Sequence, residues 1–108
     1  MATPYQVQLP PHTKGASFKL TFDVTTDLTL TGTRAIMTFR DRNGSVVATL
    51  DSEDEQITVS DDPKQIVTDP AFSIPTAGDI SWSLKLYNAS WDLPTLIPFA
   101  GVWRIDEP

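Results

Sequence analysis

Gly78-Asp79-Ile80-Ser81-Trp82-Ser83-Leu84-Lys85-Leu86-Tyr87 decides the fold. Ile80, Trp82, Leu84 and Leu86 alternate with Asp79, Ser81, Ser83, Lys85 and Tyr87. Successive side chains of a strand point to opposite faces, so period two puts the apolar set on one face and the polar set on the other. A helix would scatter the same four apolar groups around its circumference. Downstream, residues 102–106 repeat the pattern, with Trp103 and Ile105 on one side and Val102 and Arg104 on the other. Upstream, Phe18, Leu20, Phe22 and Val24 alternate with Lys19, Thr21 and Asp23. Ala35, Met37 and Phe39 alternate with Arg34, Thr38 and Arg40, and Ile36 blurs the outer face. Val46, Ala48 and Leu50 follow, then Ile57 and Val59, then a short edge-like piece at residues 65–67.

Between two of these runs stands Asp41-Arg42-Asn43-Gly44, in which Asn-Gly supplies the positive φ values of a tight hairpin turn. Residues 34–50 therefore read as a hairpin. No window carries apolar residues at i, i+3, i+4 and i+7 over three turns, and nine prolines fall mostly where turns are already expected. Short strands at regular spacing predict an all-β fold, an immunoglobulin-like antiparallel β-sandwich of about seven strands. It has no disulfide, because the chain has no cysteine. The 108 residues suffice for one domain, expected as an N-terminal arm over residues 1–15 and a sandwich over residues 16–108.

Charge and composition narrow the function. Eight Lys and Arg against fourteen Asp and Glu give a formal charge of −6, which argues against nucleic acid or an anionic membrane as partner. The lack of cysteine removes thiol catalysis, iron–sulfur clusters and thiolate zinc sites. No apolar run approaches the ~20 residues of a membrane span, and MATPYQVQLPP has no signal-peptide core. The expectation is a protein made and assembled in a cytosol.

Candidate chemistry is sparse. The one histidine, His12, follows Pro10 and Pro11 and reads as a solvent-exposed arm residue, not a base held by packing. Asp51-Ser52-Glu53-Asp54-Glu55 and Asp61-Asp62 read as solvated acidic loops, with calcium as the lesser alternative because EF-hand spacing is absent. Two Asn-x-Ser sequons, at Asn43 and Asn88, read as turns. No catalytic residue, metal ligand or cofactor is expected, and the protein reads as no enzyme. Trp82 and Trp103 fall on strand faces and read as core. Trp91 lies in a turn-like stretch, where it either anchors an interface or folds back on the sandwich edge. Leu93, Leu96, Ile97 and Phe99 follow, interrupted by Pro94 and Pro98. Each proline removes a ladder donor, so this stretch is expected as an irregular edge. It either contacts a neighbouring subunit or caps its own core, and the expected interaction set is Trp91, Leu93, Leu96, Ile97 and Phe99.

The chain from about Phe18 to Ile105 resembles the immunoglobulin-like domains associated with bacteriophage tails and baseplates, such as the N-terminal domain of upper baseplate proteins. The resemblance rests on Asp27-Leu28 with Thr31-Gly32, the alternating 34–40 strand and its hairpin into 46–50, and Ile57 and Ile66 on short strands. Gly78 to Leu86, Leu96-Ile97-Pro98 and the closing Gly101-Val102-Trp103-Arg104-Ile105 complete it. Such domains often carry an acid just after the aromatic of the penultimate strand, and Ser83 stands there instead. What the resemblance implies is a structural or adaptor role in a virion, at the tail, baseplate or fibre-attachment region, without catalytic residues. Expected partners are other virion proteins, with the chain in several copies. The alternatives are a carbohydrate- or host-surface-binding module using Trp91, Tyr87 and the acidic loop, and a capsid decoration protein.

Overall fold

The computed structural model describes residues 5–7, 9–25, 28–68, 72–92 and 94–108, with backbone only at 5 and 6. These hold nine strands: β1 Tyr5–Gln6, β2 His12–Thr13, β3 Thr21–Asp23, β4 Arg34–Arg40, β5 Val46–Asp51, β6 Ile57–Asp61, β7 Lys64–Thr68, β8 Gly78–Tyr87 and β9 Thr95–Asp106. The larger sheet has the order β1-β9-β8-β4-β5, with β2 also on β9, and the smaller sheet is β3-β7-β6. All pairings are antiparallel except those of β1 and β2, which run parallel to β9. The seven strands β3 to β9, split between two facing sheets in this order, have immunoglobulin-type connectivity.

Alternation translates directly into burial. Ala35, Met37 and Phe39 on β4 and Leu84 and Leu86 on β8 have no exposed surface. Ile80, Trp82, Trp103 and Ile105 extend the same layer, and Phe22, Ile57 and Ile66 meet it from the smaller sheet. Each large side chain removed from water contributes about 1.5–3 kcal/mol. The only described helical element is a single 3-10 turn, Ser52–Asp54.

Four expectations are corrected. Residues 65–67 are not an edge, because β7 lies between β3 and β6 and Ile66 is buried. Val46 does not share the inward face of Ala48 and Leu50. The register shifts between Phe39 and Arg40, so Val47 is an extra residue and Val46 turns outward, half exposed. Beside this bulge, the hairpin turn gives positive φ to Gly44 alone, and Asn43 keeps an ordinary φ. The 95–98 stretch, expected as an irregular edge, opens the longest strand, β9, with a break in register, and among the described residues only β8 pairs with it there. Its proline is absorbed by a second bulge: Leu84 pairs with Phe99 and Leu86 with Leu96, leaving Ile97 and Pro98 opposite Lys85.

The fourth correction concerns His12. It pairs with Ile105 in register, and its ring lies 5.2 Å from Phe18 and 5.5 Å from Trp103. Its Nε2–H donates to the Ala16 carbonyl at 3.1 Å. The described part of the expected arm is bound along β9: Val7 N–H donates to the Ala100 carbonyl, and the Trp103 indole N–H donates to the Pro10 carbonyl at 2.7 Å. Gly101 permits this approach, since a Cβ there would collide with the Val7 carbonyl and press on the Trp82 ring. Replacing His12 with Ala is therefore expected to lower unfolding free energy by about 1–2 kcal/mol, through loss of two ring contacts and a hydrogen bond. Urea denaturation measures it, and a change within about 0.5 kcal/mol would show that the ring is not held.

Candidate interaction surface

The five expected interaction residues do not form one exposed patch. Trp91 is buried, and its indole N–H donates to the Thr29 carbonyl at 3.0 Å. Phe99 is half-buried and stacks on Phe22 with ring centroids 5.2 Å apart. Leu96 packs partly buried against the core. Leu93 lies outside the described residues, as does Asp27 of the motif at 27–32. Of the four described residues of the set, Ile97 alone stands out, 40% exposed. For Trp91, Leu96 and Phe99 the capping alternative describes where the side chains sit.

Ile97 belongs to a different surface, the outer face of the larger sheet. The described large apolar residues that are most exposed are Val46, Tyr87, Ile97 and Val102, and all four lie on this face. The registers lay it out in rows: Val46, Arg40, Ser81 and Val102; then Thr49, Thr38, Ser83 and Ala100; then Asp51, Ile36 and Lys85 beside Ile97. Arg34, Tyr87 and Thr95 close it. Small hydroxyl side chains keep the centre flat while the larger apolar groups stand at the margins. Tyr87 was legible as a candidate from its turn. Val102 and Val46 were not singled out, although Val102 already fell on the outward side of its strand.

Charge on the face is mostly paired. Arg34 grips Asp51 through two hydrogen bonds of 3.1 and 2.6 Å and reaches Glu53 at 3.4 Å. Arg104 bonds Asp106 at 3.0 Å and lies 3.5 Å from Asp79. Asp51 also caps the 3-10 turn by accepting from Glu53 N–H, while its own N–H and carbonyl bond to Gln56. The acidic loop is thus organised around an arginine. The bond from Arg34 holds the Asp51 carboxyl below the usual carboxylate range, and the bond from Lys64, followed by Leu30 N–H, does the same for Asp61.

The flanking loops are fixed by buried polar bonds. Asn88 donates from Nδ2 to the Thr31 carbonyl and the Thr33 hydroxyl and accepts from Ser90 N–H. Leu30 N–H donates to Asp61. Two open depressions accompany the face. One, of about 420 Å³, lies between Asp41–Asn43 and Gly78, Asp79 and Arg104; the other, of about 360 Å³, lies between Asp23–Thr25 and Pro98–Phe99.

The class these features define is an immunoglobulin-like β-sandwich with a flat, mixed outer sheet face. Comparison with known protein families, curated proteins and solved structures finds no match to this chain.

Asp51 and Asp61 have depressed folded-state pKa values, so the stability they contribute is complete above the unfolded value of about 3.9 and is lost as pH falls through the lower folded values. Unfolding free energy is expected to drop below about pH 4, and less steeply in the Asp51→Asn variant. Chemical denaturation across pH 2–6 tests it; an unchanged slope would show that the Arg34 pair carries no linkage.

Proposed function

We propose that this protein is a non-enzymatic structural or adaptor component of a bacteriophage virion, in the tail, baseplate or fibre-attachment region. It acts by docking the outer face of its larger sheet on a neighbouring virion protein. The observation that carries the docking is the gathering of Val46, Tyr87, Ile97 and Val102 on one face whose centre is flat. Support for the virion setting is the resemblance of the 78–105 strands and their turns to tail-associated immunoglobulin-like domains. A carbohydrate-binding role loses half of its aromatic set, since Trp91 is buried and its N–H is occupied.

Mass spectrometry of purified particles from the virus carrying the gene is expected to detect the chain; its absence from particles would overturn the virion reading. Ile97→Asp is expected to leave the monomer folded and remove it from particles, because Ile97 is exposed. Phe99→Asp is expected to unfold it, because the charge would enter the contact with Phe22. Circular dichroism and particle incorporation of the two variants check this. A folded Ile97→Asp protein incorporated at the normal level would remove the face from the docking role.

A further inference from the structure

We propose that the neighbour covering the outer face of the larger sheet is a second copy of this chain, packed face to face about a two-fold axis. The inference rests on the reading of that face as a docking surface and names its occupant. Charge selects the copy. Arg34, Arg40, Lys85 and Arg104 stand on the face against Asp51, Asp79 and Asp106, a formal charge of +1. Since the whole chain carries −6, the rest of its surface carries −7. Two such chains repel least when these faces meet. The three acids of the face are held by Arg34 and Arg104, which leaves little net charge for a strongly charged foreign surface to recognise. Apolar surface points the same way. The most exposed large apolar residues all lie here, so among the described faces of the chain only a second outer face offers an apolar match.

The strand registers show that the face complements itself. Let the axis lie between the two sheets, along the strands, over the gap between β4 and β8. Each row is then met by its own reverse, β5 over β9 and β4 over β8. Val46 meets the partner's Val102, and Arg40 meets the partner's Ser81. Thr38 meets the partner's Ser83, so small side chains meet at the flat centre. Lys85 lays its stem on the partner's Ile36, and Arg34 meets the ring of the partner's Tyr87, a cation over an aromatic face. No like charges oppose one another directly. An axis running across the strands at Thr38 would instead seat Val46 on the partner's Asp51.

The size of the face sets the strength of pairing. It is four strands wide, β9-β8-β4-β5, and four outward residues long from Arg34 to Arg40. Spacings of about 4.8 Å between strands and about 3.3 Å per residue give it about 20 by 25 Å. Two copies together bury roughly 1,000 Å², the lower bound of a specific interface. Pairing is therefore reversible and concentration-dependent.

Sedimentation velocity on the full chain over a concentration series tests the pairing. Wild type is expected to pass from monomer to dimer, more readily as salt rises, because salt screens the repulsion between the acidic remainders. Ile97→Asp, with an unchanged β spectrum, is expected to raise the dimer dissociation constant at least about tenfold, since it sets a carboxylate near the partner's Asp51. Cross-linking tests the axis. The chain has no cysteine, so Val46→Cys and Val102→Cys each carry a single thiol. A short bismaleimide is expected to link an equimolar mixture of the two variants into dimers and to leave each variant alone unlinked. Within one chain the two positions are three strand spacings apart, about 14 Å, and the axis keeps each equally far from its own copy. Wild type monomeric throughout, an Ile97→Asp dimer as tight as wild type, or a mixture that does not link would overturn the proposal. If wild type stays monomeric while particles take up the chain and exclude Ile97→Asp, another virion protein covers the face and the docking reading stands without the dimer.

Discussion

No disulfide cross-links the two sheets, so the sandwich depends on the meeting of two inward stripes. Ile80, Trp82, Leu84 and Leu86 of β8, with Ala35, Met37 and Phe39 of β4, form one wall, and Phe22, Ile57 and Ile66 form the other. In a domain with the disulfide typical of antibody folds, a cross-link would hold these walls together. Here aromatic rings do that work at both ends: Phe22 against Trp82 and Phe99, and Phe18 against Trp103 and Phe72. Close packing of this kind tolerates little change in volume, which is why Phe99 serves the interior first.

Once the stripes are committed inward, the other faces of the same strands are fixed by period two. The outer face of the larger sheet is thus a by-product of the core. Its serines and threonines make it flat, and the two bulges decide its apolar margins. Without the extra residue at Val47, Val46 would face the core; without the second bulge, Pro98 would break the β8–β9 ladder where Ile97 now stands exposed. The loops at its lower edge are held by the Asn88 bonds and the Trp91 indole, so the face is presented by a rigid frame.

The alternation at 78–87, 34–39 and 102–106 specified strands, their inward residues and the hairpin, because period two is a local property of the chain. The candidate surface was less legible. Trp91 and Phe99 carry the same hydrophobic signal whether they face a partner or their own core. Ile97 differs from Leu96 only in which side of a bulge it occupies.

By itself the sequence determined an all-β, cysteine-free sandwich, the identity of most core residues and the acidic balance of the chain. Tertiary structure alone decided that residues 65–67 are interior, that β9 is flanked on both sides, that His12 is clasped by Phe18 and Trp103, and that Val46 faces out. The physical reason is common to all four. Strand neighbours and bulges are set by backbone hydrogen bonds between segments far apart in the chain, and those bonds leave no mark on the residues that make them.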